Sequence, residues 1–201
     1  MARRPRRSSA ETRAEILATA ENLFRSGGYE KTSVHDIAAT IGMSPANVFK
    51  HFPSKMALVE AIGEAHLGHI AAGLDTIPAD LAPPLRLRRF AGVVLDGHLD
   101  NMENNPHVFD IVAAMIAMKS AVGRNFEAVL RRHVEAILRS GNDTGEFAVP
   151  DPAATAVVVL DCLAGTSHPL LINPEVRAEL SVRLAHSLDL VIAALQGGLE
   201  K

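Results

Sequence analysis

The chain of 201 residues is 48% apolar and only 4% aromatic, with no Trp, a composition that fits a globular core and excludes a disordered polymer. Its single cysteine, Cys162, excludes an intrachain disulfide framework and any multi-cysteine metal site, and suits a reducing cytoplasm. The formal charge of −3 conceals a split. Residues 1–55 carry nine Lys/Arg against five acids, a net of +4, and the remainder eleven against eighteen, a net of −7. A cationic head on an acidic body would turn head first toward a polyanion. The bland alternative is solvated charge with a tail that aids solubility.

Alanine and leucine dominate and alternating strand patterns are nearly absent, so an all-α fold of about nine helices is expected. Residues 1–9 read as a disordered basic arm with Arg3, Arg4, Arg6 and Arg7. No apolar run of signal-peptide or membrane-spanning length follows, so neither export nor insertion is expected. Ser8 and Glu11 have capping-box spacing, and Ile16, Leu17, Ala20, Leu23 and Phe24 predict a helix over about 10–26 that ends at Gly27-Gly28. Thr32 or Ser33 caps a second helix to Thr40, and Gly42 sits where a left-handed C-cap is wanted. Ser44 then caps a third helix opened by Pro45 and ending near Phe52. Two short helices joined by a glycine turn, over about 33–52, have the helix-turn-helix plan that presents its second helix to the DNA major groove.

At 100° per residue from Ser44, Val48 and Phe52 face inward, whereas Ala46, Asn47 and Lys50 face outward with Phe49 and His51 beside them. Lys50 suits phosphate or a guanine edge, Asn47 an adenine, and Ala46 a thymine methyl. Each taken singly also fits an ordinary solvated helix face. The arm would enter a narrow minor groove or attract phosphates without preference.

Residues 10–69 resemble the DNA-binding head of the TetR family of bacterial transcriptional regulators. The resemblance is carried by Ile-Leu-x-x-Ala-x-x-Leu-Phe, Gly-Tyr-x-x-Thr-Ser-Val, Asp-Ile-Ala, Gly-Met-Ser and Val-Phe-Lys-His-Phe-Pro-Ser-Lys. It implies a homodimeric regulator, a repressor, on a palindromic double-stranded operator, with residues 70–201 forming a helical regulatory and dimerisation domain that binds a small, mostly hydrophobic effector. It implies base contacts around Ala46, Asn47 and Lys50, and phosphate contacts from Ser33, His51, Lys55 and the position of Phe49. Thr32, His35 and Ser44 complete the expected DNA-facing set. Phe49 stands where the family often has Tyr, which removes a hydroxyl, and His35 where Arg is frequent, which makes a fixed charge conditional. No cofactor is implied. The different-class alternative is a helical DNA-organising protein without an effector.

In the body, Thr76 to Pro84 is a proline-rich connector. Helices are then expected over about 85–105, 107–118, 122–140, 152–164 and 174–195, with a turn at Gly141–Gly145. The stripe of Leu184, Leu188, Val191 and Leu195, set beside Ala156, Val157, Leu160 and Ala164, predicts half of a four-helix dimer interface. The alternative is that both helices complete their own core. His98, Met102, Phe109, Met115, Met118, Phe126, Asp161 and Cys162 are candidates for an effector lining, against plain core packing. Catalytic readings are poor: no phosphate-cradling glycine loop occurs. His66 and His69 are three apart, a metal-compatible spacing, yet surface histidines explain them as well. Cys162 with His168 could form a nucleophile pair or be a small core residue. Neither an enzyme nor a metal protein is expected.

Overall fold

The computed structural model describes residues 8–104, 111, 112, 114, 115 and 118–197, and the described chain is all-α, with eight α-helices, one 3-10 turn and no strand. The helices are α1 (Ser9–Gly27), α2 (Val34–Thr40), α3 (Pro45–His51), α4 (Lys55–Asp75), α5 (Pro83–Asn104), α6 (Ala121–Thr144), α7 (Pro152–Ser167) and α8 (Arg177–Gly197), with the 3-10 turn Pro174–Val176 before α8. Residues 111, 112, 114 and 115 are also helical; the rest of the helix expected over 107–118, and Arg3, Arg4, Arg6, Arg7 and Phe109, lie outside the described residues. Two compact units form: one from the described residues of 1–65 and 105–120, the other from those of 66–104 and 121–201.

The first unit is built on caps that the sequence announces. Ser8 accepts from the Glu11 amide at 3.1 Å while Glu11 takes the Ser8 amide at 2.7 Å, which satisfies two donors of the first turn of α1 that would otherwise lack partners. At the other end Gly28, at φ +82°, donates back to the carbonyl of Phe24. Ile16, Ala20 and Phe24 of α1, Ile37 and Ala38 of α2, Val48 of α3, Phe52, and Leu58, Val59 and Ile62 of α4 are buried in this unit. Burying side chains of this size contributes about 1.5 to 3 kcal/mol each, which is what holds helices as short as α2 and α3 in place. Met115 and Ser120 pack on α4. The Ser120 hydroxyl donates to Glu60 at 2.9 Å, and a Cβ at Gly63 would collide with the Met115 sulfur, so glycine is what lets Met115 settle there.

The second unit buries one apolar cluster, with Leu87, Phe90, Leu95 and Leu99 of α5, Val134, Ile137 and Leu138 of α6, Ala156, Val159 and Leu163 of α7, and Leu180, Leu184, Leu188, Ile192 and Leu195 of α8. Gly97 lets α5 approach Ile70 of α4. On the outside, Arg88 reaches Asp189 at 2.5 Å, and Arg177 meets Asp100 at 2.5 Å and Glu103 at 3.3 Å. Exposed pairs like these add little stability, but they tie α8 across α5.

Three expectations change. The turn expected at 141–145 is still helix, because α6 runs on to Thr144 and only Gly145, at φ +74°, ends it. The cause lies in the segment just beyond the helix: Gly141 lies flat under the Phe147 ring, and Asn142 clamps both backbone groups of Val149, donating at 2.7 Å and accepting at 3.0 Å. The last helix is split, with Asn173 capping a 3-10 turn at Pro174 before α8 starts at Arg177. Finally, of the residues expected at a dimer interface, Ala156, Leu184, Leu188 and Leu195 belong to this unit's own core. The leucine stripe is the inner face of α8.

Candidate nucleic-acid interface

The helix-turn-helix forms because each break in periodicity carries a matching cap. Ser33 opens α2 by accepting from the Asp36 amide, and Asp36 returns the bond to the Ser33 amide at 2.8 Å. At the far end Gly42, at φ +68°, donates to Ala39 while Met43 donates to Ala38, the paired bonds of a glycine-ended helix. Ser44 then opens α3, accepting from the Asn47 amide at 3.3 Å. With Val48 and Phe52 fully buried, the orientation of α3 about its axis is fixed. Ala46 and Lys50 are thereby exposed, as is Phe49 at 42%, and Asn47 and His51 are half-exposed. The outward face is the one that the 100° spacing predicts. Among the described residues the Asn47 carboxamide donates to the Met43 sulfur, at 3.4 Å, a weak acceptor that a base edge readily replaces.

Around this face the polar residues divide into committed and available. Thr32 is 7% exposed and its hydroxyl donates to the carbonyl of Gly28 at 3.0 Å, so it faces the interior and not a phosphate; this corrects its place in the DNA-facing set. Ser33 is exposed, yet its hydroxyl donates to Asp36 at 2.6 Å. That bond, with the Ser33 amide, holds the Asp36 carboxyl below its ordinary range. A phosphate contact from the Ser33 hydroxyl would have to displace Asp36. Ser44 and His35 are exposed. Lys55 lies over the Tyr29 ring at 3.9 Å and donates to the carbonyl of Glu30 at 3.4 Å, a position that leaves it half-exposed. Nothing in the periodicity singles out Tyr29, which sits in a loop and packs edge-on to Phe24 at 5.6 Å. Nor does it reveal Arg13, whose guanidinium lies 4.3 Å over the ring of Phe52.

The other candidates separate by unit. Met115 is buried against Gly63 in the first unit, and Met118, also there, is 66% exposed. His98, Met102 and Phe126 belong to the second, where Met102 and Phe126 pack on the core cluster. Asp161 and Cys162 are exposed on α7. They share its outer face with Ala154, Val157, Val158 and Gly165, while Leu160 and Ala164 are half-buried. On α8, Val182, His186 and Leu190 are exposed and Val191 half-buried. His66 sits 3.2 Å from Asn101. Among the described residues no three His, Cys, Asp or Glu side chains converge as a metal site, and no helix is long and apolar enough to cross a membrane.

Comparison with known proteins gives two family matches. Residues 16–62 match the model of bacterial regulatory proteins of the tetR family, and residues 83–186, half of the chain, match that of the tetracyclin repressor-like C-terminal domain. The HTH-type transcriptional regulator TtgR of Pseudomonas putida is 32% identical over 103 residues, 48% of this chain and 49% of its own length, so the match spans about half of that relative. The "probable HTH-type transcriptional regulator ArpR" of Pseudomonas putida is 27% identical over 177 residues, covering 82% of this chain and 84% of its own. Among solved structures, the SmeT–triclosan complex matches with a TM-score of 0.64 at 21% identity, over 90% of each chain, which shows a shared fold.

Proposed function

The chain belongs to the tetR family of bacterial regulatory proteins, DNA-binding transcriptional regulators rather than enzymes, and from that premise we propose that it represses transcription by holding a palindromic operator until a small molecule releases it. The single observation that supports this most is the fixed outward face of α3. Ala46, Asn47 and Lys50 project from a helix whose opposite side is locked by Val48 and Phe52, so one set of side chains meets the base edges. Residues 10–69 would act as the DNA-binding domain and 70–201 as the regulatory one. A regulator of this kind works in the cytoplasm, where bacterial DNA lies.

A dimer would present two heads to successive major grooves, about 34 Å apart. We place its interface on the outer faces of α7 and α8, at Val157, Val158, Cys162, Val182 and Leu190, because these apolar side chains are left exposed by the protomer. The effector would bind in the second unit, near Met102 and Phe126, and release DNA by its differential affinity for two states. The shared fold with SmeT, solved in complex with triclosan, is in keeping with that.

Selection of bound sequences from random DNA tests the reading. A palindromic consensus is expected. Binding with a steep salt dependence and no enriched sequence would overturn it in favour of an effector-independent DNA-organising protein, since phosphate contacts alone carry no sequence information.

A further inference from the structure

Arg13 stands exposed in the second turn of α1, its guanidinium carbon 4.3 Å from the centroid of the Phe52 ring. Phe52 is 1% exposed and ends α3, donating its amide to the Val48 carbonyl, so the ring beneath the cation is fixed. A guanidinium over a ring is held by its charge, which leaves its fork of N–H donors to bond elsewhere. Among the described residues none of those donors has a hydrogen-bond or ion-pair partner. Nor does α1 offer one: the neighbours one turn away, Ser9, Ala10, Ile16 and Leu17, include no acid, whereas Arg25 has Glu21 and Arg139 has Glu135 at that spacing.

The surroundings have one sign of charge. No acidic residue occurs from Ser44 to Val59, while Lys50 and His51 directly precede Phe52 and Lys55 follows three residues later. Lys55 is held in the same manner, 3.9 Å over Tyr29. The head thus rests two cations on rings, Arg13 on the residue that ends α3 and Lys55 as the residue that begins α4. A planar fork without a carboxylate suits the two oxygens of a phosphodiester, which it can grip through parallel hydrogen bonds. Holding the side chain on Phe52 beforehand reduces the entropy that such a contact has to overcome.

We propose that Arg13 is a DNA-backbone contact made from α1, its guanidinium binding a phosphodiester beside the end of α3. The contact adds affinity without reading sequence. It rests on the reading in which α3 meets the major groove, and it extends the DNA-facing surface to a helix outside the helix-turn-helix.

The test uses the full chain, a selected operator and a scrambled duplex, with fluorescence anisotropy across a salt series. Arg13→Gln should bind both duplexes about tenfold more weakly for each head engaged and lower the salt slope by about one. Arg13→Met keeps an apolar stem on Phe52 and should show the same loss, so the result does not hang on one variant folding well. Ethylation interference reads the contact directly. One phosphate in each half-site at which ethylation weakens the wild type should cease to matter in either variant. An unchanged salt slope, or the same interference pattern in variant and wild type, would overturn the contact and leave Arg13 a cover for Phe52. Loss confined to the operator would overturn it as well. A wild type that enriches no sequence overturns the operator reading instead, and the salt slope with the scrambled duplex still decides for or against Arg13.

Discussion

Lys55 rests on the face of Tyr29, its ammonium 3.9 Å from the ring centroid, and donates at the same time to the backbone of Glu30. The first residue of α4 is thus steadied by the loop between α1 and α2, which reduces the freedom that a phosphate contact would otherwise have to take from a long side chain. Tyr29→Leu should weaken binding to all DNA sequences alike, by about 0.5 to 1 kcal/mol, whereas Tyr29→Phe keeps the ring and should bind like the wild type. Lys55→Ala should also weaken all sequences and lower the salt slope by about one. Fluorescence anisotropy with a selected operator and a scrambled duplex reads both. Loss confined to the operator would refute a phosphate role.

Asn47→Ala should act differently, costing about 1 to 3 kcal/mol at one base pair while leaving nonspecific affinity unchanged. Among the described residues the Asn47 side chain donates to the Met43 sulfur, a weak acceptor, so truncation removes little from the fold itself. Unchanged affinity for the selected operator would mean that the reading face of α3 has been assigned wrongly.

Gly141→Ala should destabilise the second unit by about 1 to 3 kcal/mol in urea melts, because the new methyl would occupy the place of the Phe147 ring. Gly123→Ala, where a Cβ meets open space, should be neutral or slightly stabilising. Similar effects at both positions would show that the ring does not lie where the structure puts it.

Acid should weaken the second unit through His98. Burial lowers its folded pKa from the ordinary 6.5 to about 4, so the unfolded chain binds the extra proton in between. The stability present above pH 6.5 is lost as pH falls toward 4, by up to about 1.4 kcal/mol per unit from this group. Urea melts at pH 7 and pH 5 should show a larger drop for the wild type than for His98→Phe. Equal drops would place the acid sensitivity elsewhere.

Leu190→Glu should turn a dimer into monomers by native mass spectrometry, since Leu190 is 75% exposed on the outer face of α8 and adds nothing to the protomer's core. A variant that stays dimeric would exclude this face from the interface.

Much of the head could be read from the residues because its determinants are local. Ser8, Ser33 and Ser44 each satisfy an amide three residues on, Gly42 alone supplies the left-handed turn, and Val48 and Phe52 repeat at helical spacing on the buried side of α3. The body hid what depends on distant partners. α7 and α8 also carry apolar residues on their exposed faces, Val157 and Val158 on one and Val182 and Leu190 on the other, so composition alone did not separate the inward Leu184 and Leu188 from the outward Leu190. Likewise the turn residues at 141–145 gave no sign of Phe147 waiting six residues beyond Gly141. Thr32 misled for a related reason: a capping hydroxyl and a phosphate donor are the same residue type, and only its burial under Gly28 and Leu23 separates them.

The Glu60–Ser120 bond and the seat of Met115 on Gly63 also bear on how the molecule can be dissected. The polypeptide passes between the two units three times, near residues 65, 104 and 120, so no single proteolytic cut liberates an intact DNA-binding fragment. An expression clone stopping at residue 69 would leave α4 bare where Met115 should sit. A hybrid regulator that exchanges heads between relatives would need to carry 105–120 along with the first 65 residues, as two non-contiguous inserts rather than one.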